Sequence, residues 1–233
     1  MNTAFIKGLW GIPDPNATDN LLRMRAVMAK ELRHWKKYCP SVPFKTYAYG
    51  KDNCDILASL GIDCVKLSDD PVIWDNSKYM HRHKIEIMRV ALESYDEIVW
   101  LDWDSQQLKE IPSDFWDKIS VGQPFQACLK QQNRPQCLWR PIREDQRFLP
   151  CTGVTYVRGR ETIDRVIDCW TETGMNANDE IAFAKMSDDI LGGWKGPEAY
   201  CSNFEPLYAM TKRCRWCTTE ILVKKDLVFK HQS

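Results

Sequence analysis

The chain lacks several features that would each have assigned it to a class. No apolar run approaches the ~20 residues needed to cross a bilayer, so no membrane span is expected. The first residues, Met1 to Gly8, have neither a basic n-region nor a long apolar core and do not read as a secretory signal. Net charge is missing as well. Lys and Arg number 32, as do Asp and Glu, giving a formal charge of +0, so no global field draws the protein to nucleic acid or membrane. There is no internal repeat and no low-complexity segment. Cys214-Arg215-Trp216-Cys217 is a lone CxxC. A zinc site there would have to recruit Cys201 or His231, so the motif does not predict zinc. The 10 cysteines are scattered, and without an export signal they read as reduced thiols of a cytoplasmic protein, or of a host's cytoplasm. Asn16-Ala17-Thr18 fits a glycosylation sequon but reads instead as a helix start.

What is present is a globular composition, with 44% hydrophobic and 27% charged residues in 233, enough to bury a substantial core. A single domain over 1–233 is expected. It divides into 1–104, 105–210 and a basic tail, 211–233. The segment 130–147 is also basic.

The pattern of elements reads β-α-β-α-β-α-β at first. Strands are predicted at Ala4–Trp10, Phe44–Tyr49 and Ile62–Leu67. Helices are predicted from Leu21 to Tyr38, from Asn53 to Leu60 with Gly61 as its stop, and from Ser77 to Tyr95. This alternation predicts an α/β fold with a mostly parallel, Rossmann-like sheet and helices on both faces. Shorter pieces follow: a helix at Ser113–Ile119, strands at Phe125–Lys130, Cys137–Arg140 and Thr152–Arg158, and a helix at Glu161–Gly174. Another helix is capped by Asn178 or Asp179, Gly192 to Pro197 is a loop, and Ile221–Phe229 is a last strand.

The stretch Ile98-Val99-Trp100-Leu101-Asp102-Trp103-Asp104 carries the chemistry. An uninterrupted apolar run of strand length ends in two carboxylates one residue apart. In open α/β sheets ligands bind at the carboxyl ends of strands. Two acids placed there repel each other unless a cation lies between them, and a hard divalent ion with oxygen ligands satisfies both.

Trp100-Leu101-Asp102-Trp103-Asp104 resembles the DxD motif of GT-A-type nucleotide-sugar glycosyltransferases. The order around it is similar too. Three α/β units and the basic run His81-Arg82-His83-Lys84 precede it; Thr152-Gly153-Val154-Thr155-Tyr156-Val157-Arg158, Asn178-Asp179-Glu180 and Phe204-Glu205-Pro206 follow. Cys151-Thr152 stands where those families carry Asn. The resemblance implies a GT-A fold and a hexosyl- or pentosyltransferase using Mn²⁺ or Mg²⁺. Its donor would be a UDP- or GDP-sugar, and its acceptor a hydroxyl of a glycan, a protein or a hydroxylated DNA base.

It also implies roles for single residues. Asp104 would ligate the metal, and Asp102 would contact the ribose or sugar or join the metal shell. His231 would be a third metal ligand. Lys7, Gly8, Trp10, Trp103 and Gly153 would line the donor site, and Arg82 and Lys84 would reach its phosphates or sugar. Asp179 or Glu180 would act as base or hold a sugar hydroxyl.

Plainer readings compete. The acids can cap the next element, the run 81–84 can be a solvated helix face, and Asp179 and Glu180 can favour a helix N-terminus through its dipole. Trp10 and Trp103 can be core. A nucleotidyltransferase acting on sugar phosphates is a rival function, but it would carry a glycine-rich, basic loop after the first strand. Lys7 to Pro13 is neither. A non-catalytic sugar-nucleotide-binding module would be expected to lose one of the two acids.

Overall fold

The computed structural model describes residues 1–12, 30, 44–70, 72–73, 80–102, 105–107, 113–121, 124–131, 148–172, 179–180, 182–183, 185–186, 208–211 and 229–232. Its centre is a six-stranded sheet. The strands are β1 (Thr3–Leu9), β3 (Phe44–Tyr49), β4 (Cys64–Ser68), β6 (Glu97–Leu101), β8 (Phe125–Gln131) and β9 (Phe148–Arg158), in the order β4-β3-β1-β6-β9-β8. β4, β3, β1 and β6 run parallel to one another, and β9 runs antiparallel to both β6 and β8. The fold is therefore α/β with a mostly parallel mixed sheet, compatible with a Rossmann-like fold.

Alternation along the strands explains why helices cover both faces. Ala4 and Ile6 of β1 point to the larger core, with Ile98 and Trp100 of β6. Helices α2 (Met80–Ala91) and α4 (Arg160–Glu172) close this face through Ile87, Met88, Ala91, Ile163 and Val166. Leu9 and Ala48 point the other way, onto Ile56 and Leu57 of α1 (Lys51–Ser59). On that same second face Phe5 meets Phe115 and Trp116 of α3 (Phe115–Ser120), with ring centroids 5.6 and 5.2 Å away.

α1 ends as its sequence requires. Gly61 has φ 71, its amide donates to the Ala58 carbonyl at 2.9 Å, and the Ile62 amide donates to the Leu57 carbonyl at 3.0 Å. These are the two bonds of a Schellman stop, with Ile62 and Leu57 packed in one cluster. Ile62 thus belongs to the helix stop, and β4 begins later than the sequence pattern placed it.

Two small sheets flank the main one. β2 (Gly11–Ile12) pairs with β5 (Val72–Ile73). β7 (Ser105–Gln107) pairs antiparallel with β11 (Phe229–Gln232), which pairs parallel with β10 (Tyr208–Thr211). The last strand is therefore Phe229–Gln232, and 221–228 lie outside the described residues. So do the predicted strand at 137–140, the loop at 192–197, the CxxC at 214–217 and, Lys30 apart, the helix at 21–38. The stretch predicted to begin a helix at Asn178 or Asp179 is already helical at Asp179, which therefore does not serve as a flanking cap.

Candidate functional site

The strand order reverses between β1 and β6. The chain steps outward from β1 through β3 to β4 and then returns to the other side of β1 as β6. Such a switch point leaves a crevice at the strands' carboxyl ends, where open α/β sheets bind ligands. Here the strands separate. β1 pairs with β6 only through Ile6↔Trp100. Beyond that point β1 stays with β3 through Leu9↔Ala48, and β6 stays with β9 through Leu101↔Val154. Asp102 lies at the mouth of this opening.

Every polar group of Asp102 is engaged. Its amide donates to the Gly153 carbonyl at 2.8 Å, and its carbonyl accepts from Lys7 Nζ at 3.2 Å. Oδ1 accepts from Trp100 Nε1 at 2.5 Å, and Lys84 Nζ lies 3.1 Å from Oδ1 and 3.4 Å from Oδ2.

Lys84 is the hub. Its side chain is 3% exposed, and its ammonium lies between two carboxylates, with Asp179 Oδ2 3.3 Å away. It also donates to the Thr152 carbonyl at 2.5 Å and sits 5.6 Å from the centroid of the Trp100 ring. Thr152 Oγ1 donates to Asp179 Oδ2 at 2.5 Å. An ammonium this deeply buried is tolerable only because these acceptors replace its water.

Local irregularity builds the hub. Against β8, the register of β9 jumps from Thr155 opposite Ala127 to Cys151 opposite Cys128. Residues 152–154 therefore bulge from that ladder. A bulge re-aims side chains, and here both the carbonyl and the hydroxyl of Thr152 reach the buried ion pairs. Gly8 supplies the other special contact. A Cβ at that position would fall 2.6 Å from Trp100 Cη2 and 2.6 Å from Ile87 Cδ1, so the absent side chain lets the Trp100 indole lie against β1.

Of the residues singled out from sequence, Lys7, Lys84, Asp102, Gly153 and Asp179 come together. Trp10 is half-buried, its ring centroid 6.1 Å from that of Trp100, and its buried indole nitrogen has no hydrogen-bond partner among the described residues. Gly8 faces Trp100 and Ile87 inside the protein, so it shapes the site through packing.

Arg82 is not brought to the group. Its Nε donates to Glu86 Oε1 at 2.8 Å on the outer side of α2, with the side chain 47% exposed. Glu180 is half-buried beside Asp179. Trp103 and Asp104 lie outside the described residues; of His231 only the backbone is described, and it pairs with Ser105, the residue after Asp104.

Two members of the constellation were not singled out as site residues from sequence, Trp100 and Thr152. Trp100 offered a signal: in a strand, residues two apart face the same side, which puts its indole beside Asp102.

Among the described residues no three His, Cys, Asp or Glu side chains are grouped to hold a metal ion. Asp102 already meets Trp100 through Oδ1 and Lys84 through both carboxylate oxygens. The oxygen of Asp104 and the imidazole of His231 are donor types that fit a divalent ion such as Mn²⁺, and the pairing of β7 with β11 sets the backbone of His231 opposite that of Ser105. No helix among the described residues is long and apolar enough to cross a membrane. No protein-family model matches the chain, and no curated protein is similar to it.

Proposed function

We propose that the protein is a GT-A-type glycosyltransferase that moves a sugar from a nucleoside-diphosphate sugar to an acceptor hydroxyl. The observation that carries this reading is the parting of β1 and β6 at the switch point, immediately before the Asp102-x-Asp104 pair. The DxD-like motif thereby leads out of a sheet crevice of the kind that binds nucleotides.

In this reading the ribose and base lie along the end of β1, with the half-buried Trp10 as an apolar wall. A divalent cation, Mn²⁺ or Mg²⁺, held by Asp104 and His231, would supply positive charge to the departing diphosphate. The remaining work falls to the chain's own side chains. Lys84 keeps Asp102 and Asp179 side by side and offsets one of their two negative charges at the edge of the crevice. Asp179 Oδ2 already accepts from Thr152 and faces Lys84, so Asp179 suits holding a sugar hydroxyl better than taking a proton. Glu180, half-buried on the same helical stretch, is then the candidate to take the acceptor proton. The C–O bond to the diphosphate breaks, the bond to the acceptor oxygen forms, and the acceptor's proton passes to the carboxylate.

The test is a thermal-shift panel of UDP- and GDP-sugars with and without Mn²⁺. Binding to the native state alone stabilises it by about 2.7 kcal/mol at 100 times Kd. At least one nucleotide sugar is expected to raise Tm in a Mn²⁺-dependent way. A flat panel counts against the reading.

A further inference from the structure

Asp102 is held on three sides by groups already described, and the fourth contact has a separate consequence. Where β6 parts from β1, the carbonyl of Asp102 faces the gap, beyond the last rung at Ile6↔Trp100. Lys7 Nζ crosses to it at 3.2 Å. Lys7 is itself buried, 7% exposed, with its ammonium 5.7 Å from the centroid of the Phe44 ring. It approaches from the face of the sheet opposite Lys84, because Lys7 follows Ile6 by one residue, whereas Ile6 and Trp100 share the other face.

The peptide group is planar, so fixing the Asp102 carbonyl fixes the plane of the peptide that leads on to residue 103. The carboxylate contacts of Trp100 and Lys84 do not set that plane. The Asp102 amide, bound to Gly153, sets only the preceding one.

We infer that Lys7 is a positioning residue: its ammonium replaces the missing rung between β1 and β6 and thereby fixes the plane of the peptide that leads on from Asp102. Lys7 acts through Asp102 and not by direct contact with the donor. The inference rests on the reading of Asp104 as a metal ligand. It also accounts for a lysine at the penultimate-but-one position of a buried strand, where an apolar residue would pack at lower cost.

The experiment measures Mn²⁺ binding to the full chain by the loss of the free Mn²⁺ spin-resonance signal. It compares wild type with Lys7→Met, which keeps the stem and removes the donor, and Lys7→Arg, which keeps a cationic donor of similar reach. Groups that orient a ligand from behind typically change metal affinity about 10–100-fold. Lys7→Met is expected to fall in that range, and Lys7→Arg to recover most of the affinity. If Lys7→Met does not fold, Lys7→Gln replaces it, since its amide is too short to span the gap and the same loss is expected. Wild-type affinity in a folded Lys7→Met or Lys7→Gln, with only Tm lowered, overturns the role of Lys7 and leaves the metal reading standing. Absence of Mn²⁺ binding by wild type overturns the metal reading and the inference with it.

Discussion

Lys84→Met is the most informative single perturbation of the buried network. Methionine keeps the unbranched stem, so packing around Ile87 and Met88 changes little. The ammonium disappears from between Asp102 and Asp179, and the Thr152 carbonyl loses a charged donor. The two carboxylates are not equally placed. Asp102 is 28% exposed at its side chain, so water can compensate it, whereas Asp179 is only 4% exposed. The stranded charge on Asp179 therefore dominates. Removing one partner of a buried ion pair costs about 3–5 kcal/mol, and for a chain of this size each kcal/mol moves Tm by about 2–4 °C.

The assay is urea unfolding followed by tryptophan fluorescence, read as a lower midpoint at unchanged m-value. A second substitution isolates the cause. Asp179→Asn keeps an acceptor for Thr152 and removes the charge, so Lys84→Met/Asp179→Asn should recover about 1–3 kcal/mol relative to additivity. A Lys84→Met cost below about 1 kcal/mol, in the range of exposed pairs, or strict additivity in the double variant, refutes the buried hub.

Other consequences follow from single contacts. Gly8→Ala places a methyl against the rigid Trp100 ring and should cost about 1–3 kcal/mol as an overpacked site, with a change in near-ultraviolet tryptophan dichroism; unchanged stability and spectrum would contradict the close approach. Burial, with the Cys54 hydrogen bond as the next cause, pushes the Cys64 thiol up to about 12. At pH 8 it should alkylate at least ~100-fold more slowly in the folded protein than in urea, read by peptide mass spectrometry. The His83 imidazole, with Nδ1 3.2 Å from Glu86 Oε2, and then the Arg82 hydrogen bond and charge together outweigh desolvation and hold the Glu86 carboxyl below its ordinary 4.5. A lowered acid stabilises the fold above its unfolded value, and that contribution is lost as pH falls through the folded one. Glu86→Gln should therefore flatten the decline of Tm below about pH 4.5, and an unchanged acid limb would contradict the assignment.

Local signals in the sequence found the local elements. Phe44–Tyr49 is the strand its pattern predicts, although Thr46, Tyr47 and Ala48 are all buried because both faces of the sheet are covered, and Gly61 stops α1 because only a residue tolerant of positive φ fits the Schellman position. The order of strands was not legible. Nothing between Leu101 and Phe148 announces that β9 will insert between β6 and β8 and run against both, because strand pairing is decided by contacts distant in sequence. The bulge at 152–154 was hidden for the same reason.

Lys84 shows how composition can mislead. Within His81-Arg82-His83-Lys84 it reads as one charge of a solvated face. Helical spacing separates it from its neighbours, since Lys84, Ile87, Met88 and Ala91 form the inward stripe, and Arg82, Glu86 and Arg89 the outer one. That stripe was available in the sequence. The carboxylates that make burial of the lysine tolerable were not, because one lies just past the end of β6 and the other on a helical stretch far along the chain.

In the proposed function, the opening between β1 and β6 holds a nucleotide sugar and a divalent cation for glycosyl transfer. Donor turnover is the decisive measurement. Purified protein is incubated with UDP- and GDP-sugars and Mn²⁺, and the released nucleoside diphosphate is quantified for wild type, for wild type with chelator, and for Asp104→Ala. Release from at least one donor is expected, abolished by chelator and reduced about 100-fold or more by Asp104→Ala, the scale of losing a main source of transition-state charge stabilisation. No release from any donor, or release that Asp104→Ala leaves intact, would contradict it.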